Sequence, residues 1–74
     1  MESIIHSSND FRIVQTGFMG FKIQKKFEIE TEYFSRTEWL FIDNAGLPRN
    51  AKHLHFTATS LEEVNKKIIK LQTE

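Results

Sequence analysis

The chain contains no cysteine, so no disulfide can staple it and no thiolate can act as nucleophile or metal ligand. That composition fits a reducing compartment, and a cytoplasmic location is the expectation. One proline and three glycines leave no material for a flexible linker. The 74 residues are therefore expected to form one small domain over residues 11–74. Residues 1–10 precede it as a flexible or edge-strand arm. No apolar run approaches the roughly 20 residues that a membrane helix needs. The opening MESIIHSSND lacks the basic start and apolar core of a signal peptide. Charge of one sign is also lacking: ten Lys and Arg balance ten Asp and Glu. Chains that neutralise phosphates usually carry a basic surplus, although a neutral chain can still be basic on one face.

Aromatic side chains are plentiful instead. Seven Phe, one Tyr and one Trp can build a dense core without staples, since each buried ring removes roughly 150–250 Å² from water. The stretch from Gly20 to Thr31, GFKIQKKFEIET, organises the rest. Phe21, Ile23, Phe27 and Ile29 fall on one face of an extended strand, with Lys22, Gln24, Lys26, Glu28 and Glu30 on the other. Lys25 interrupts the apolar face, either as a bulge or as a lysine reaching water beyond the cover of the sheet.

Phe11–Thr16 reads as a second strand, joined to the first by Gly17-Phe18-Met19-Gly20, a link whose glycines suit a hairpin. Thr37–Asp43 is a third strand, with Trp39 and Phe41 on one face and Leu40 and Ile42 on the other. Asp43-Asn44-Ala45-Gly46 carries the signature of a turn, and Pro48 argues against a central strand after it. Ala51–Ala58 alternates again and reads as a short strand or an extended approach to a helix. The helix itself spans Ser60–Gln72. Ser60 and Glu63 form a capping box, Leu61, Val64, Ile68 and Leu71 form one apolar stripe, and Glu62–Lys66 and Glu63–Lys67 are favourable pairs. The expected fold class is α+β: a three- to four-stranded antiparallel sheet in the order β-β-β-(β)-α, with one C-terminal helix packed on one face.

No set of side chains points to catalysis. His53 and His55 share one side of an extended segment, but His6 is remote and zinc sites usually need three or four ligands. Serines 3, 7, 8, 35 and 60 include none in a strand-to-helix elbow, and Ser60 is better explained as a cap. Glu28, Glu30 and Glu32 read as charges that protect a strand edge, and GFMG lacks the spacing of a phosphate loop. The chain is therefore expected to be no enzyme and to use no metal or cofactor.

Two binding functions remain. The favoured one is a small protein-interaction module with a protein partner, of the kind that phage and mobile elements supply as inhibitors of host proteins. Its candidate contacts are Phe18, Met19, Tyr33, Phe34, Leu47 and Arg49, since a few aromatic and Arg anchors dominate most interfaces. A homodimer through an uncovered strand edge, or through the second face of the strand Thr37–Asp43, belongs to the same class. The alternative is nucleic-acid binding by the sheet through Arg12, Lys22, Gln24 and Lys26. Three strands followed by the helix start Thr-Ser-Leu-Glu-Glu-Val resemble, over residues 11–72 and in architecture alone, plant AP2-type and phage-integrase arm-binding domains. The resemblance implies a sheet face laid against DNA.

Overall fold

The computed structural model describes residues 2–17 and 20–73; Phe18 and Met19, at the tip of the glycine-bracketed link, lie outside the described residues. The elements are β1 (Glu2–Ser7), β2 (Phe11–Thr16), β3 (Phe21–Glu30), β4 (Ser35–Phe41), a single 3-10 turn (Lys52–Leu54) and α1 (Leu61–Thr73). The four strands form one antiparallel sheet in the order β1-β2-β3-β4. A meander of this kind needs only short connections, because each strand pairs with its neighbour in sequence. The fold is the α+β arrangement expected: a four-stranded sheet followed by one C-terminal helix. No helix among the described residues is long and apolar enough to cross a membrane.

Alternation in β3 decides which side the helix covers. Ile23 meets Ile42 and Val64 at the centre of the core, and none of the three is exposed to solvent. Phe11, Ile13 and Ala58 complete this cluster, with Phe21, Phe27, Phe56, Ile68 and Leu71 packed around it, while Val14 is buried outside it. Each fully buried aliphatic side chain contributes about 1.5–3 kcal/mol. Leu61, expected in the helix stripe, is 45% exposed. It stands beside a 340 Å³ groove between β1 and α1, lined by Ile5, His6, Ile13 and Asn65.

Lys25 marks no bulge. The register runs through it without a slip, from Phe11 on β2 to Leu40 on β4. Its ammonium lies 5.7 Å from the centre of the Phe27 ring, on the apolar side where the helix cover thins. The sheet's irregularity falls in β1, between Ile4 and His6. Two adjacent isoleucines cannot both face one side of a regular strand.

Strand lengths do not match. β2 pairs with β3 only from Phe21 to Lys25, whereas β4 pairs with it from Gln24 to Glu30. The distal half of the β3–β4 hairpin is thus two-stranded, and residues 30–37 are all exposed. Glu28 and Glu30 do not lie on a sheet-edge strand, because β3 is interior. They lie on the half of β3 that β2 leaves unpaired, where charge discourages further strand addition.

Beyond β4 the chain turns at Asp43–Gly46. The Gly46 N–H donates to the Asp43 carbonyl at 3.1 Å, as the turn signature predicts. Gly46 has φ +85°, a backbone conformation that favours glycine, and a Cβ there would sit 3.1 Å from Leu71 Cδ2, which would have to give by a few tenths of an ångström. Of the two readings of Ala51–Ala58, a short strand or an extended approach to the helix, the strand is not formed and the approach is extended only in part. Lys52–Leu54 makes a 3-10 turn and leaves Leu54 46% exposed. Only the end of the segment is extended: Phe21 and Ala58 exchange both backbone hydrogen bonds at 2.8 and 2.9 Å. The reason is that β4 leaves the flank of β3 before Phe21, and Ala58 satisfies the backbone groups exposed there.

At the helix start, Ser60 Oγ accepts the Glu63 N–H at 3.3 Å, and Glu63 Oε2 accepts from the Thr59 N–H at 3.5 Å, one residue earlier than a standard capping box. Turning there, Glu63 does not pair with Lys67, whose ammonium lies 5.7 Å from the Phe56 ring centre. Glu62 and Lys66 do pair, at 3.6 Å, both well exposed. Ile23→Ala is expected to cost about 2–5 kcal/mol and Ser60→Ala about 1 kcal/mol. Urea denaturation should reproduce that order, with Leu61→Ala below Ile23→Ala because Leu61 is half in water already.

Candidate functional site

Two surfaces gather side chains that packing does not consume. The first is the sheet face opposite the helix. Antiparallel register places Arg12 beside Gln24, Val14 beside Lys22, Gln24 beside Phe41 and Lys26 beside Trp39. Arg12, Lys22, Gln24 and Lys26 therefore share one patch, as their alternation implied. Trp39 and Phe41 belong to it too. Their parity in the third predicted strand already put them on one face; the register with Lys26 and Gln24 is what puts that face on the basic side.

The patch is built of stacks. The Arg12 guanidinium lies 4.0 Å over the Trp39 ring, a contact worth about 0.5–2 kcal/mol. The Arg12 Nε is buried and has no hydrogen-bond partner. The His55 ring stacks on Phe41 with centroids 4.9 Å apart and 26° between planes. Lys22 Nζ lies 3.1 Å from His55 Nδ1, and His55 Nε2 lies 2.7 Å from the Arg49 carbonyl. An ammonium only donates, so Nδ1 accepts and the Nε2–H donates to Arg49. His53, by contrast, is exposed within the 3-10 turn and does not share this face with His55. Among the described residues no group of three or more side chains is placed to hold a metal ion.

His55 could not be assigned to this surface from the sequence. Its partner Lys22 is 33 residues away, and the 3-10 turn breaks the alternation that would have given its side.

The second surface is the tip of the β3–β4 hairpin. Thr31 fixes it: its Oγ1 accepts from the N–H groups of Tyr33 at 3.3 Å and Phe34 at 3.2 Å and donates to the Phe34 carbonyl at 3.0 Å. The Thr31 N–H also donates to that carbonyl, at 2.8 Å. Threonine turns of this kind replace the missing backbone partners of a tight loop. The tip so held presents Tyr33 at 88% exposure and Phe34 at 55%. Glu28, Glu30 and Glu32 line the approach and are exposed, while Arg36 is paired with Glu38 at 3.1 Å.

Leu47 and Arg49 lie elsewhere, in the loop beyond β4. Leu47 is 52% exposed, and its N–H donates to Asp43 Oδ1 at 3.0 Å. Arg49 is a strut of the loop, its Nε donating to Asp43 Oδ2 at 2.8 Å. The structure therefore does not join Leu47 and Arg49 to Tyr33 and Phe34 in one patch, and Phe18 and Met19 lie outside the described residues. Compared with known proteins, the chain matches no family model, no curated protein and no solved structure.

The Asp43 carboxyl is held below its ordinary value, chiefly by the Arg49 side-chain hydrogen bond and then by the Leu47 N–H, against an opposing effect of desolvation, with lesser help from the Ala45 N–H and the Arg49 charge. A depressed carboxyl stabilises the fold fully above its unfolded value of about 4 and loses that contribution as pH falls through the folded value. Asp43→Asn should therefore melt below the wild type at pH 7, and the gap should close as pH falls below about 4. A gap independent of pH in thermal unfolding would contradict this assignment.

Proposed function

We propose that the protein is a non-enzymatic interaction module that offers the tip of its β3–β4 hairpin to a partner protein. One observation carries this: Tyr33 and Phe34 are held in water by a turn whose polar groups are already satisfied. Two aromatics left in solvent gain little burial energy on folding, so the core does not account for them. A two-stranded ribbon is itself marginal in water, so its extension beyond β2 is better explained by a contact than by folding. A turn fixed in advance lowers the entropy lost on binding, and large rigid aromatics make efficient anchors.

The charges around the tip define the partner's chemistry. Glu28, Glu30 and Glu32 call for Lys or Arg around an apolar pocket that receives Tyr33. Seated there, the hairpin excludes other occupants of the pocket, which is sufficient for inhibition without chemistry. Affinity capture from the source cell should return one stoichiometric protein. Tyr33→Ala with Phe34→Ala should lose it, and Glu28→Lys with Glu30→Lys should weaken it, with thermal midpoints little changed because all four positions are outside the core. Equal capture by these variants, or no partner at all, would refute the proposal.

A further inference from the structure

The opposite end of the sheet carries a different set of groups, which the hairpin contact leaves unused. Among the described residues no helix packs over the face bearing Arg12, Lys22 and Lys26; α1 lies on the other side, and from the loop beyond β4 His55 reaches this one, against Phe41 and Lys22. Among the described residues none of these three cations is ion-paired. The next side chain on this face along β3 beyond Lys26 is Glu28, so the basic region has a defined limit. Asp43, the carboxylate nearest to Phe41 in sequence, is engaged by Arg49 and by two backbone N–H groups.

Within that region the aromatic rings are topped by planar groups. Arg12 lies over Trp39 and His55 over Phe41. Guanidinium and imidazole planes are surfaces on which nucleic-acid bases stack. Trp39 and Phe41 are two residues apart on β4, about 6.6–6.8 Å along a strand. That is about twice the 3.4 Å rise of stacked bases, a separation an extended strand reaches when successive bases leave each other for separate planes. Lys22 and Lys26 flank the stacks with charge of the sign phosphates need.

We propose that this face binds single-stranded nucleic acid, two successive bases lying on the Arg12–Trp39 and His55–Phe41 stacks with adjoining phosphates on Lys22 and Lys26. Single strands are specified because a duplex hides its base faces and offers only edges and backbone. This inference is independent of the hairpin contact.

Trp39 is the sole tryptophan of the chain and reports directly on the site. The probes are fluorescein-labelled DNA and RNA single strands of about twelve nucleotides, and a duplex of equal length, at about 50 mM salt. Anisotropy should show single strands bound more tightly than duplex, with affinity falling steeply as salt rises, and unlabelled strand should quench Trp39. Lys22→Glu with Lys26→Glu should lower affinity at least about tenfold. Arg12→Lys keeps the charge but loses the plane, and should weaken binding about fivefold or more while leaving the salt slope nearly unchanged. Should Arg12→Lys fail to fold, Lys26→Glu alone, at an exposed position, still tests the face. Tyr33→Ala with Phe34→Ala should bind strands as the wild type does, which separates failure here from failure of the hairpin contact. No binding at low salt, duplex bound as tightly as single strand, or binding indifferent to the lysine variants overturns the proposal. So does a protein captured through Lys22 and Lys26 when no strand binds.

Discussion

Ile23, Ile42 and Val64 exclude water completely at one point, and each comes from a different part of the chain: the interior strand, the residue just beyond β4, and the second turn of the helix. The contact is also a hydrogen-bonded one, since the Ile42 N–H donates to the Ile23 carbonyl at 3.2 Å. A chain this short buries only about 60% of its unfolded surface and has few such points. The helix has one apolar stripe, so it covers one side of the sheet around Ile23 and little more. What the helix cannot reach, the distal hairpin and the whole opposite face, is left to find other cover or none. Both candidate surfaces are consequences of that shortage.

The two surfaces meet it differently. On the open sheet face, long polar side chains lie down over the rings: Arg12 on Trp39, Lys22 near Phe41 and His55, with Val14 buried beneath. Stems of basic residues commonly shield apolar surface in this way while keeping charge near water. At the hairpin tip nothing lies over Tyr33, and hydrogen bonds from Thr31 keep the backbone ordered without help from packing. The first surface is folded over itself and the second is held out. The loop from Asp43 to His55 ties the basic patch to the turn after β4, because Arg49 contacts both Asp43 and His55.

Much of this was legible in the sequence where one local rule governs a stretch. The alternation of FKIQKKFEIE, the Asp-Asn-Ala-Gly turn and the Ser-Leu-Glu-Glu start each reflect contacts within a few residues. Parity alone was enough to group Arg12, Lys22, Gln24 and Lys26, because a hairpin pairs side chains of like face. The segment Ala51–Ala58 misled because its alternation competes with the need to fill a gap beside Phe21, a long-range demand invisible in eight residues. The projecting hairpin was hidden for a related reason: it depends on the difference in length between β2 and β3, and on where the helix stops covering. The Glu63–Lys67 pair failed because Glu63 had a nearer backbone donor at Thr59.

The separation of charge along β3 has a consequence that net charge conceals. The molecule is neutral in sum, yet along β3 the pair Lys22 and Lys26 precedes the pair Glu28 and Glu30, their centres five residues apart, about 16 Å at 3.3 Å per residue. A neutral body with separated poles is not drawn toward a distant charge so much as turned by it. Its interaction falls off faster with distance than that of a net charge, and the torque it feels near a highly charged surface selects which end arrives first. For the charges of β3 alone, a negative surface favours the Lys22 end and a positive one the Glu30 end.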